Sequence, residues 1–181
     1  MNQSTYDPCL LYTNQPFGVV GLQTDDTLFL ADKGFAEQEQ IQLQKAGFMA
    51  KDREQLQQGK DLKFNGAVVH RENTKNTITL TQVHQCQNLQ QVVKTEATTT
   101  SSRGATRKGL TTKEQYVAQR ARGAYIASVC QPEAAFDLSV AAQATPEPSE
   151  DDIKSLNNRI KWQIENAARG LTFTKLDKKS L

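Results

Sequence analysis

The chain has 181 residues with 22 Lys and Arg against 20 Asp and Glu, so a net charge of +2 and a pI near 8.4 are too balanced to mark a nucleic-acid binder by themselves. Hydrophobic content of 37% with mean hydropathy −0.62, no apolar run near the length of a membrane span and a polar start (Met1 to Asp7) lead us to expect neither a membrane-spanning helix nor a secretory leader, and so a soluble intracellular protein of one ordinary domain or two small ones. Cys9, Cys86 and Cys130 are odd in number and far apart, which suits reduced thiols better than a disulfide framework or a zinc site, and His70 and His84 have no Cys or His partner at ligand spacing.

In chain order, Tyr6 to Tyr12 reads as a short strand after a Pro-marked bend, and Asn14-Gln15-Pro16 as a turn. Val19 to Leu22 and Thr27 to Ala31 are apolar β-former runs with the pattern of strands buried on both faces. The short tip between them carries Asp25 and Asp26. Adjacent carboxylates raise each other's pKa unless a cation offsets them, so the tip is either a solvated turn, which Asp suits, or a divalent-metal site. Asp32-Lys33-Gly34 breaks the chain before a helix over Phe35 to Ala46, with Phe35, Ala36, Leu43 and Ala46 on one side and Gly47 as its stop. Phe48 to Ala50 reads as a short strand and Lys51 to Lys60 as a polar connection.

Leu62 to His70 and Thr77 to Thr81 form a second expected hairpin across a polar loop, followed by a helix over Gln82 to Val93. Thr95 to Gly109 is Thr, Ser, Gly and Arg without periodicity, a linker or loop. Arg103, Arg107, Lys108, Lys113, Arg120 and Arg122 share one short stretch whose only acid is Glu114, a basic field able to follow a phosphate backbone or simply to stay solvated. Three helices follow. Thr112 to Cys130 places Tyr116, Gly123, Ala127 and Cys130 on one face; Pro132 to Gln143 carries Phe136, Leu138 and Val140; and Ser149 with Asp152 caps a helix striped by Ile153, Leu156, Ile160, Ile164 and Ala167. Leu171 to Leu176 reads as a closing strand.

The order of these landmarks resembles the C-terminal part of the reverse transcriptase of copia-type LTR retrotransposons. Asp7-Pro-Cys-Leu-Leu-Tyr12 is similar to the strand before that family's active-site hairpin, and Gln23-Thr24-Asp25-Asp26 stands where the family has Tyr-Val-Asp-Asp. Phe64-Asn65-Gly66 resembles the Phe-Leu-Gly of the next hairpin, and Ile78-Thr-Leu-Thr-Gln82 the Ile-x-Leu-x-Gln step into the thumb. Tyr116, Gly123-Ala-Tyr-Ile-Ala127, Pro132-Glu133 and Phe136 resemble segments that lead from the polymerase toward RNase H.

The resemblance implies an α+β fold, a partial polymerase palm of antiparallel hairpins plus helix followed by a mostly helical thumb and connection region. Its divisions are 1–93 (palm and start of thumb), 94–111 (linker) and 112–181 (connection region). It implies RNA-directed DNA polymerase chemistry, with Asp25 and Asp26 as catalytic residues holding Mg²⁺, and a template-primer of RNA and DNA with dNTPs as partners. Gln23, Thr24, Phe64, Asn65, Gly66, Arg103, Arg107, Lys108, Arg120 and Arg122 would contact nucleic acid, while Lys51 and Lys63 are either ordinary surface lysines or basic groups near the pyrophosphate. Two departures qualify this. Gln23 replaces the family's Tyr, and neither Asp7 nor Asp32 matches the third metal-binding carboxylate, which the family carries on an earlier strand. The expectation is therefore a polyprotein fragment, inactive alone; the alternative is a non-catalytic nucleic-acid-binding or interaction module.

Overall fold

A computed structural model describes the chain except residues 25, 58, 73, 75, 76, 96–109, 145, 146 and 176–181. The fold mixes helices with antiparallel sheets, as the α+β expectation required. Two compact units are formed, one by Met1–Leu56 with Leu62–Asn65, the other by Gln57–Asp61 with Gly66–Leu181. This division falls near residue 60, whereas the sequence was divided at 94, because residues 83–93 share a core with the helices that follow.

The first unit is a sheet in the order β1 (Asn2–Gln3), β2 (Leu10–Asn14), β3 (Phe17–Gln23), β4 (Asp26–Ala31), backed by helix α1 (Lys33–Lys45). The strand expected over Tyr6 to Tyr12 starts later, because Cys9 N–H is taken by the Asp7 carboxylate in a tight local turn. Asp32 caps α1, its carboxylate accepting from Phe35 N–H at 2.7 Å and from Phe17 N–H at 2.9 Å, so one side chain ties the helix start to the start of β3. Phe35 lies so close over Gly18 that a Cβ there would stand 2.5 Å from its ring, and it packs on Phe29 with centroids 6.1 Å apart. Gly47 (φ 72) ends the helical turn as expected, with Phe48 N–H donating to Leu43 O.

Two expectations are corrected here. The hairpin strands are covered on one face only: Val20 and Phe35 are buried, but Tyr12, Leu28 and Leu30 are exposed, since α1 covers only the side of Gly18, Val20 and Phe29. Phe48–Ala50 is not a strand; Phe48 and Met49 are exposed and the chain runs on irregularly.

Strand β5 (Leu62–Phe64) ends in a turn at Asn65 (φ 47) and Gly66 (φ 71), and β6 (Ala67–Glu72) begins beyond it. One strand was expected over Leu62 to His70. The Asn-Gly pair breaks it, since both residues tolerate the left-handed backbone that a tight turn needs. In the second unit β6 pairs with β7 (Thr77–Thr81), and β7 pairs with β8 (Gly170–Thr174), the closing strand.

Helix α2 spans only Val83–Gln87, not the expected Gln82 to Val93. Beyond it the backbone is held by side chains from far along the chain. Gln90 N–H donates to Gln119 Oε1, Val92 N–H to Asn157 Oδ1 and Val93 N–H to Gln115 Oε1. A helix would have used those N–H groups internally.

Helices α3 (Thr112–Val129), α4 (Ala135–Ala141, after a 3₁₀ turn at Pro132–Ala134) and α5 (Glu150–Glu165) complete the unit. Thr111 with Glu114, and Ser149 with Asp152, form reciprocal capping boxes. Their core gathers Cys86, Leu89, Val92, Tyr116, Ile126, Ala127, Ala134, Leu138, Leu156 and Ile160. Of the apolar positions expected on α4, only Leu138 is buried; Phe136 and Val140 are exposed. Gly123 admits α5 closely, with buried Gln163 donating to Gly123 O at 3.1 Å. Cys86 and Cys130 are buried free thiols, and Cys9 is exposed. Among the described residues no helix is long and apolar enough to cross a membrane.

Candidate functional site

The carboxylate box lies at the end of the β3–β4 hairpin. Gln23 pairs directly with Asp26, and Thr24 beyond Gln23 adopts the positive φ of 49 that suits a tight hairpin turn. Gln23, Thr24 and Asp26 are all exposed, while Asp25 lies outside the described residues. By strand alternation Asp26 shares a face with Leu28 and Leu30, the side that α1 leaves open. Among the described residues no cation pairs with Asp26, and no three His, Cys, Asp or Glu side chains are grouped to hold a metal ion. Carboxylate oxygens, which Asp26 carries here, are hard donors of the kind that Mg²⁺ takes.

Phe64, Asn65 and Gly66 form the second turn, with Phe64 half-buried and Asn65 exposed. A Cβ on Gly66 would lie 2.8 Å from Gln85 Nε2, so the bare glycine is what lets Gln85 lie against the turn. Lys51 and Lys63 are exposed. His70 is paired with Asp61 at 2.6 Å, a local partnership rather than a ligand set.

Of the basic stretch, Arg103, Arg107 and Lys108 lie outside the described residues. Arg120 and Arg122 are two positions apart on α3 and so point roughly 200° apart around its axis. Arg120 lines a groove with Ala124, Ser128, Leu138 and Ala142, whereas Arg122 lines a different cleft. Lys113 is committed to Glu147 at 3.9 Å. The described part of the stretch therefore divides between faces.

The second cleft corresponds to no motif in the sequence. Its walls are Gln85, Gln87, Asn88, Gln90 and Arg122, and it holds about 430 Å³. The density of amide side chains over 82–91 was the available signal, absorbed there into an amphipathic helix. No family model matches the chain, nor does any curated protein or solved structure.

Proposed function

We propose that the chain is a piece of the RNA-directed DNA polymerase of a copia-type LTR retrotransposon, comprising the C-terminal palm, the start of the thumb and the connection region. The observation that carries this reading is the pairing of Gln23 with Asp26 at the end of a hairpin whose sheet is backed by a helix, with the remaining landmarks following in the family's order along the sequence. A polymerase needs carboxylates on a rigid tight turn facing an open side, and Asp26 lies on the open face.

Asp25 and Asp26 would hold Mg²⁺, which when bound supplies activation of the primer 3′-hydroxyl and stabilisation of the departing pyrophosphate. The chain's own residues would present carboxylate oxygens at the tip, and Phe64, Asn65 and Gly66 would support the primer end. Two carboxylates fall short of the three that the chemistry uses, so the 181-residue chain alone does not add nucleotides to a primer.

Mn²⁺, a paramagnetic substitute for Mg²⁺, tests the reading when titrated into the labelled chain with a primed RNA template. Backbone amide signals of Gln23, Thr24 and Thr27 should broaden first, and the effect should vanish in the Asp25→Asn, Asp26→Asn double variant. Broadening confined to other acidic segments, or none, overturns the metal site. Template-dependent extension by the chain alone overturns its inactivity.

A further inference from the structure

We propose that the cleft between α2 and α3 binds one nucleotide of a single-stranded nucleic acid, its phosphate against Arg122 and its base edge against the carboxamides of Gln85, Gln87, Asn88 and Gln90. The inference rests on the polymerase reading and deepens it, since it names an unpaired segment as a ligand and assigns it to residues of the second unit, whereas the carboxylate hairpin belongs to the first. About 430 Å³ lies within the roughly 300–1,000 Å³ of small-ligand sites.

The walls carry the argument. Four of the five lining residues end in a carboxamide, which offers a donor and an acceptor side by side, the pattern that matches the edge of a base. A peptide would need an apolar pocket to anchor a side chain, and no apolar side chain lines this cleft. The fifth residue, Arg122, meets no carboxylate among the described residues, where its guanidinium makes a long 3.4 Å hydrogen bond to Asn88 O. Its guanidinium fork is left for an anion, and phosphate is one that such a fork grips in two places. Watson–Crick edges are free in single strands and engaged in duplexes, and the groove edges of an RNA duplex lie in a major groove too deep and narrow for side chains to read, so the unpaired form is the ligand.

The cleft is also held in shape before any ligand arrives. Gln119 and Asn157 fix the backbone at Gln90 and Val92 from α3 and α5, and Gly66 leaves room for Gln85 to lie against the turn. The amide bonds that order this rim therefore come from other elements, which leaves the exposed side chains of Gln87, Asn88 and Gln90 available to a ligand.

Octa-adenylate, (rA)₈, is the probe, titrated into the labelled full chain beside a duplex of the same length and tripolyphosphate. The side-chain amide signals of Gln85, Gln87, Asn88 and Gln90 should shift with (rA)₈, and less with either control. Arg122→Gln should weaken (rA)₈ binding about tenfold and reduce the salt slope by about 0.7. Gln87→Ala and Gln90→Ala, at exposed positions, should each weaken it about threefold, which keeps the test decisive should Arg122→Gln fail to fold. Unchanged affinity in the glutamine variants, equal shifts with the duplex, or shifts with tripolyphosphate alone overturn the proposal. Loss of the Mn²⁺ effect at Thr24 with the cleft shifts intact refutes the polymerase reading only; the reverse pattern refutes the cleft only.

Discussion

Asn157 and Val92 exchange two hydrogen bonds: Val92 N–H donates to Asn157 Oδ1 at 2.7 Å, and Asn157 Nδ2 donates to Val92 O at 2.9 Å. One side chain of α5 thus treats an irregular segment as a neighbouring strand would. Val92 is buried, so both of its backbone groups would lose their partner together if the carboxamide were removed.

Asn157→Ala should therefore lower the stability of the chain by about 2 kcal/mol, the cost of unpaired buried backbone groups. Asn157→Asp, which keeps the acceptor and loses the donor, should fall between the two. Urea unfolding measures the difference, and hydrogen exchange at Val92 should accelerate in the alanine variant. A change under about 0.5 kcal/mol would mean that water replaces the side chain at no loss.

The three thiols should separate cleanly by reactivity. Burial pushes the Cys130 thiol up to about 11, with the nearby Cys86 adding to the effect, and burial raises Cys86 as well. Thiolate is the reactive form, so neither is expected to react at neutral pH. Cys9 is exposed. Titration with a disulfide reagent should register one fast thiol in the native chain and three after denaturation; two or three fast thiols in the native chain would contradict the packing of Cys86 and Cys130.

Much of this structure was legible locally, and the parts that were not share a cause. Ser149 and Asp152 announce a helix start by spacing alone, and the apolar runs around Asp25 and Asp26 announce a hairpin, because both depend on neighbours in sequence. The end of α2 depends instead on Gln115, Gln119 and Asn157, residues 22 to 65 positions away, which no local pattern over Gln82 to Val93 contains. The same holds for burial of the hairpin. A continuous apolar run says that a strand can be covered twice, but only the placement of Phe35 decides which face is covered. Asn65-Gly66 is different in kind: its turn signal is local, but it sits inside a run of β-formers that masks it. The amide cleft needed α2 to end early, so it followed the same miss.

The capping box of α5 makes one pH dependence explicit. Asp152 is held below the ordinary carboxylate range, first by the hydrogen bond from the Ser149 hydroxyl and then by the Ser149 backbone N–H, which donates at 2.9 Å. The folded value is depressed, so the unfolded chain takes up the proton first as acid is added. The box therefore stabilises fully above the unfolded carboxyl pKa of about 4 and loses its contribution as pH falls through the lower folded value. Wild type should exceed Asp152→Asn in thermal midpoint at pH 7, and the two should converge as acid takes the chain below the ordinary carboxylate range. Ser149→Ala should abolish most of the difference at pH 7, because it removes the hydroxyl that holds the carboxylate. A gap between wild type and Asp152→Asn that stayed constant from pH 7 to pH 3 would assign the role of Asp152 to side-chain shape rather than to its charge.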